Sequence, residues 1–371
     1  MRRARLLLWF VAPVSALLVA MAVSSIALLL IHKSPLQAFE LMGQYGAQSG
    51  SMVSIVNRAV PLFLSGLAVA IGFKMNLFNI GVEGQSLLGA LLGAAVGGAV
   101  NLPAPLEITI ILLTAMAAGA AWSGIAGVLK VTRGVHEVIS TIMLNAIATG
   151  VSSWLLLTYF RKPYSPGDLV VSTRQLPQSG WFPPLNGLFG LHNPPEDLSG
   201  FVLVAILVGV IYYVLVWRTR FGYDLRASGI NPLAARVSGV DPNRMVIQTM
   251  LLSGAMSGLV GMMYLLSFFH AYTIDFPTGL GFTGIAVALV GRNHPVGIGL
   301  GALLFGFIER SAQILDLNGI PKEIFQIMEG TIILAVVIAY EVVRRMIEAQ
   351  EVRAAAEKTR RMVPEGQEAA A

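Results

Sequence analysis

The chain has 371 residues, 55% of them hydrophobic and only 12% charged, whereas soluble domains carry roughly one quarter charged residues. It contains no cysteine, which excludes disulfides, thiolate metal sites and cysteine nucleophiles. The net charge of +5 comes from Lys and Arg dispersed between apolar runs, not from the basic face of a nucleic-acid binder.

The first element is an apolar run over 6–31 without a charged residue, longer than the about 20 residues that cross a bilayer. It is too long for a signal-peptide core, and His32, Lys33, Ser34 and Pro35 follow it without a small-residue cleavage site, so it is expected to persist as a span. Further apolar segments lie at 52–73, 77–100, 106–129, 138–160, 200–217, 246–269, 281–291, 296–313 and 325–343. They predict an all-α polytopic membrane protein of about ten transmembrane helices, some short or broken. Two of them, 281–291 and 296–308, are separated only by the four residues from Arg292 to Pro295, so two spans and one kinked helix are both open.

Parity bears on that choice, because cytoplasmic loops collect Lys and Arg. Arg2, Arg3 and Arg5 precede the first run, and Arg344, Arg345, Arg353, Lys358, Arg360 and Arg361 follow the last. Both termini are therefore expected in the cytoplasm, with an even number of spans. Ten crossings also bring Lys74, Lys130, Arg133, Arg218, Arg220, Arg226, Arg236, Arg244 and Arg292 inside. The expected organisation is a transmembrane domain over 1–343 and a charged cytoplasmic tail over 344–371, a frayed helix ending near Pro364. The 161–199 loop is extracytoplasmic and the 218–245 loop cytoplasmic.

The 161–199 loop carries seven prolines with Trp181 and Phe182, which predicts a semi-rigid segment without long helices. Its length admits a lid or docking role as well as a plain connector. Gly66-Leu-Ala-Val-Ala-Ile71 before Lys74 is echoed by Gly284-Ile-Ala-Val-Ala-Leu289 before Arg292, and Leu88-Gly-Ala-Leu-Leu92 by Leu300-Gly-Ala-Leu-Leu304. Such strings suit an internal repeat and also recur by chance in membrane proteins.

Phe73-Lys-Met-Asn-Leu-Phe-Asn-Ile-Gly-Val-Glu-Gly-Gln85 enters the third span with an acidic residue between Gly81 and Gly84. A carboxylate is costly in lipid, so Glu83 should face a cavity, a cation or backbone. A structural ion pair with Lys74 or Arg292 and a direct contact with solute are both open. Asn79, Glu83, Gln85, Asn145 and Asn293 are the candidates for a translocation pathway, although Asn57, Asn145, Gln248, Thr283, Asn293 and Glu309 equally suit helix–helix hydrogen bonds. The His136-Glu137 pair lacks further ligands and is no metal site.

In the 218–245 loop a short helix is complete in itself. Asn231 caps it, Pro232 takes its first position, Leu233 to Ser238 continue it and Gly239 ends it. Two turns at most are unstable alone. Leu233, Ala234 and Val237 share one side beside Arg236, an apolar knob that fits a groove on a soluble partner. No Gly-Lys-Ser or Gly-Lys-Thr occurs, so the chain has no Walker A loop.

Five segments together resemble the permeases of bacterial ATP-binding cassette importers for branched-chain amino acids, simple sugars and nucleosides, most nearly the nucleoside branch. They are Asn57-Arg-Ala-Val-Pro-Leu62, Phe78-Asn-Ile-Gly-Val-Glu-Gly-Gln85, Gly134-Val-His-Glu-Val-Ile-Ser-Thr-Ile-Met-Leu-Asn145, Arg226-Ala-Ser-Gly-Ile-Asn-Pro-Leu-Ala-Ala-Arg236 and Gly281-Phe-Thr-Gly-Ile-Ala-Val-Ala-Leu-Val-Gly-Arg-Asn-His-Pro295. The resemblance covers the chain from Asn57 to Tyr340. It implies a non-enzymatic subunit in a bacterial inner membrane, with a second permease subunit, an extracytoplasmic substrate-binding protein and a cytoplasmic ATPase. That ATPase would hold ATP and Mg, and this chain no cofactor. It further implies that the helix of Asn231, Pro232, Leu233, Ala234, Ala235, Arg236, Val237 and Gly239 couples ATP-driven closure to the pathway. Sugars, branched-chain amino acids and an ion-coupled carrier using Glu83 and Glu309 are the alternatives.

Overall fold

The computed structural model describes residues 18–163, 170–190, 196–321, 324, 326–335, 338–339, 342 and 345–346. The chain separates into two units, one of residues 1–35 with 323–371 and one of residues 36–322. In the first, α1 (Leu18–Leu30) is helical and ends on amides of His32 and Lys33 bonded back to Leu29 and Leu28 carbonyls. The basic N-terminal residues and most of the expected tail lie outside the described residues.

The first unit also holds the apolar helix Gln326–Ala335. The second holds α2 (Pro35–Gly46), α3 (Ser49–Lys74), α4 (Val82–Gly97), α5 (Ala104–Arg133), α6 (Glu137–Leu155), α7 (Phe201–Arg218), α8 (Arg220–Ile230), α9 (Pro232–Val237), α10 (Pro242–Gly258), α11 (Leu280–Val290) and α12 (Pro295–Leu317). Short π-helical turns extend α6 at Leu156–Phe160 and follow α10 at Tyr264–Phe269. Among the described residues five helices are long and apolar enough to cross a membrane: Gly50–Lys74, Ala104–Arg133, Glu137–Phe160, Phe201–Arg218 and Pro295–Leu317. The chain is a polytopic helical membrane protein.

Burial sorts these helices into an inner and an outer set. The sides of α3 and α4 are almost wholly buried, as is one edge of α11, whereas α5, α6 and α7 keep broad apolar faces open, such as Leu203, Ile206, Leu207, Val210 and Ile211 on α7. A helix apolar on every side fits a bilayer, where the solvent is as greasy as the core. Close approach at small residues joins the layers. A Cβ on Gly254 of α10 would collide with the carbonyl oxygen of Gly119 on α5, and one on Gly258 with that of Ala115. This Gly254-x-x-x-Gly258 contact is the small-residue packing that drives helix association in lipid.

Several expectations change. The span expected over 77–100 is helical only from Val82, because Leu77 to Gly81 is not helical. The run at 246–269 is an α-helix followed by a π turn. Residues 281–291 and 296–308 belong to two separate helices. Arg292 and Asn293 take left-handed angles (φ 53 and 55) and turn the chain, after which α12 continues past Glu309 to Leu317. The connector after the first run contains α2, and the 218–245 loop contains α8 as well as α9. The 161–199 loop has, in its described part, no helix longer than the turn Gln178–Gly180, as its prolines predict. Bridges of Arg161 with Thr173 and of Pro184 with Ser199 fold it on itself, and that of Ser172 with Thr273 ties it to the rest of the unit.

Candidate functional site

The break between α3 and α4 organises the interior. Asn76, at φ 57, ends α3, and the Leu77 amide bonds back to the Gly72 carbonyl at 3.0 Å. From there the chain runs without helical bonds, yet inside a membrane bundle each backbone polar group needs a partner. Side chains supply several of them. Asn79 Oδ1 accepts from the Gly81 amide (3.0 Å), while its Nδ2 donates to Ser253 Oγ (2.8 Å) and to Gln85 Oε1 (3.0 Å). Gln85 Nε2 donates back to Asn79 Oδ1 at 2.9 Å. From α6, Asn145 accepts from the Gly84 amide (2.9 Å) and donates to the Ile80 carbonyl (2.8 Å).

Glu83 sits where the first turns of α4 and α11 meet. Its Oε1 accepts from the Gly279 amide at 2.6 Å and its Oε2 from the Gly281 amide at 2.8 Å. Helix N-termini carry positive potential that suits a carboxyl group. Of the cavity, cation and backbone that the sequence left open to Glu83, these contacts are with backbone, in place of an ion pair with Lys74 or Arg292. The Lys74 ammonium instead lies 5.1 Å from the centre of the Trp217 ring, and Arg292 follows the opposite end of α11. At about 1.5 Å per residue, that helix alone holds Arg292 some 15 Å away from its first turn. The meeting point is deep: a Cβ on Gly284 would run into Ser65, nine residues before the end of α3.

Asn293, the remaining pathway candidate, lies apart from this cluster in the α11–α12 turn, where its carbonyl accepts from Tyr212 Oη at 3.1 Å. Lys74, Trp217, Arg292 and α8 gather at that end of the unit, with a Cβ on Gly229 standing 2.7 Å from Met75 Cα. α9 follows α8 directly. Asn231 caps α9, accepting from the Leu233 and Ala234 amides at 3.0 and 3.1 Å, and Gly239 (φ 83) ends it. Ala235 is the buried residue of this helix, whereas Leu233 and Val237 are 75% and 91% exposed.

At the opposite end, Asn57 and Glu309, taken singly in the sequence, join Ser54, Arg58 and Glu196 in a polar cluster. Glu196 accepts from Ser54 Oγ and from Asn57 Nδ2, Asn57 also bonds the Asp197 carbonyl (2.8 Å) and the Ser199 amide (3.1 Å), and Arg58 pairs with Glu309. Glu309, a candidate for a cycling carboxylate, is thus matched by a cation. Asn57, Arg58 and Glu196 line a pocket of about 200 Å³ with Met263, Tyr264, Phe268 and Phe269. The π turn puts those aromatic residues on one side, Tyr264 stacked on Phe269 at 5.9 Å, and π turns recur at functional sites. Glu196 gave no sequence signal, since it stands in a polar proline-rich loop.

Residues 51–337 match the family described as branched-chain amino acid transport system / permease component. The chain belongs to this permease family. The permease is 35% identical to a glucose ABC transporter permease of Haloferax volcanii, over 87% of this chain and 85% of that protein. It is 36% identical to a guanosine ABC transporter permease of Bacillus subtilis (77% and 81% covered). To a nucleoside ABC transporter permease of Lactococcus lactis it is 28% identical, with 92% and 94% covered. The permease is therefore a membrane-embedded transport subunit and not the catalyst of a bond-breaking step.

Proposed function

We propose that this permease forms the translocation pathway of an ATP-binding cassette importer for nucleosides in a bacterial inner membrane. It works with a second permease subunit, an extracytoplasmic substrate-binding protein and a separate cytoplasmic ATPase that holds ATP and Mg. Ten crossings with both termini cytoplasmic complete the reading. The observation that carries it is α9: a capped two-turn helix, unstable alone, offers Leu233 and Val237 to solvent at the basic end of the unit. Closure of the ATPase would reach the membrane through this helix and through α8, which packs beside Met75 at the start of the α3–α4 break. Asn79, Glu83, Gln85 and Asn145 then border the pathway by shaping that break, and Asn293 by shaping the α11–α12 turn.

Two of the three relatives above are named for guanosine or nucleosides, and the pocket lined by Tyr264, Phe268 and Phe269 offers aromatic surface to a flat base. A glucose reading has the Haloferax volcanii relative in its favour. The test is uptake of radiolabelled guanosine into proteoliposomes holding the whole importer. ATP-dependent uptake competed by unlabelled nucleosides, and not by glucose or leucine, is expected. Competition by glucose alone would replace the solute class. Uptake by the permease alone under a proton or sodium gradient would overturn the importer reading.

A further inference from the structure

The first turn of α11 has one closed edge and one open edge. On the closed edge, a Cβ on Gly281 would stand 2.7 Å from Glu83 Cα, and one on Gly284 would meet Ser65, so α11 touches α4 and α3 backbone to backbone. On the open edge Phe282 is 50% exposed, whereas Glu83 is 7% exposed. No helical bond is available to the first amides of a helix, and in this one the Gly279 amide just before it and the Gly281 amide within it both donate to the Glu83 carboxyl group. The same α4 turn is pinned on its far side by Asn145, which accepts from the Gly84 amide, and a Cβ on Gly84 would lie 2.6 Å from Ala148 Cβ.

We propose that Glu83 is a positioning residue: its two oxygens brace the first turn of α11 against the first turn of α4, beside the break that borders the translocation pathway, and so fix where the exposed Phe282 stands. The pathway clause rests on the importer reading; the brace does not. Neither helix has side-chain capping of its own at this end, since neither Gly81 nor Gly279 can supply it. Glu83 acts as the shared cap for α11 while belonging to α4. A change at Glu83 therefore moves a residue two hundred positions away in sequence.

The experiment uses the full chain in membranes, with Phe282→Cys as a reporter in a protein that has no other cysteine. Glu83→Ala removes both acceptors, and Glu83→Gln keeps one acceptor oxygen while turning an amide against the other N–H. Hydrogen exchange over 276–284 should quicken about tenfold in Glu83→Ala, the factor a hydrogen bond to a charged group is worth, and less in Glu83→Gln. Thiol labelling at position 282 should change in the same order, with labelling of a Val296→Cys control unchanged. In the assembled importer, solute moved per ATP should fall at an unchanged half-saturating guanosine concentration, whereas mere loss of folded protein would lower uptake and hydrolysis together. Should Glu83→Ala fail to insert, Glu83→Gln decides. Exchange equal to that of the parent overturns the brace. Faster exchange with unaltered labelling at 282 and an unaltered solute-to-ATP ratio overturns the positioning role. If the parent importer moves no guanosine, the solute assignment fails while the exchange measurement still judges the brace.

Discussion

Because Asn145 donates to the Ile80 carbonyl and accepts from the Gly84 amide, one substitution there uncovers two backbone groups in a bundle that has no water to replace the partner. Each buried group left unpaired costs about 1–3 kcal/mol. Asn145→Ala should therefore lower the thermal unfolding midpoint of the detergent-purified permease by several degrees, and Asn145→Leu, which restores bulk without the hydrogen bonds, should recover little of it. Full recovery by Leu would mean that Asn145 fills space and does not satisfy the break. The sequence singled out Asn79, Glu83, Gln85 and Asn145 for a sound reason, since polar groups within apolar runs need partners. Their partners were not legible. A carboxyl group suggests a cation, and Lys74 and Arg292 were the available ones, but the competing donors were the backbone amides of Gly279 and Gly281 at a helix start, which leave no mark in residue type.

Among the elements, α9 was the most legible, because every feature that starts and stops it is local: an Asn cap, a Pro at the first position and a Gly at the end. The preceding α8 was hidden, since Gly222 and Gly229 lower helix propensity and tertiary contact holds it. A Cβ on Gly222 would collide with the Leu215 and Val216 carbonyls, and Arg226 donates to the Val216 carbonyl. The two helices share Asn231, which ends one and caps the other. Leu233→Asp should leave the fold of this pair intact, because the side chain is solvent-facing, yet it would place a charge in any apolar groove that receives the helix. Co-purification with the ATPase and ATP-driven uptake should both fall roughly tenfold or more, the loss expected of a buried anchor. Leu188→Asp is the matched control, the same change at a residue 73% exposed in the 161–199 loop. Equal association and uptake in the two variants would remove α9 from the coupling route.

For the whole molecule, run length in the sequence revealed that the chain lives in a membrane but not how each apolar run is divided. Hydropathy is nearly blind to a break such as Leu77–Gly81, since the residues around it must be apolar whether the backbone is helical or not. Charge carries the orientation. Lys74, Lys130, Arg133, Arg218 and Arg292 all follow or adjoin the C-terminal ends of α3, α5, α7 and α11, the side that the proposed ten-span arrangement puts in the cytoplasm by the positive-inside rule. The opposite end is marked by contact of the α4 terminus with the 161–199 loop, where a Cβ on Gly98 would stand 3.0 Å from the Arg174 carbonyl oxygen. Gln175, next to that contact, and Ser238, at the end of α9, are both exposed, so neither needs to break a packed site to be replaced by cysteine. A membrane-impermeant thiol reagent added to intact cells should label Gln175→Cys and spare Ser238→Cys, and permeabilised cells should show both. Because an even number of crossings separates each terminus from the other and an odd number separates these two positions, labelling of both in sealed cells, or of Ser238→Cys alone, would break the ten-span arrangement and the cytoplasmic placing of α9 with it.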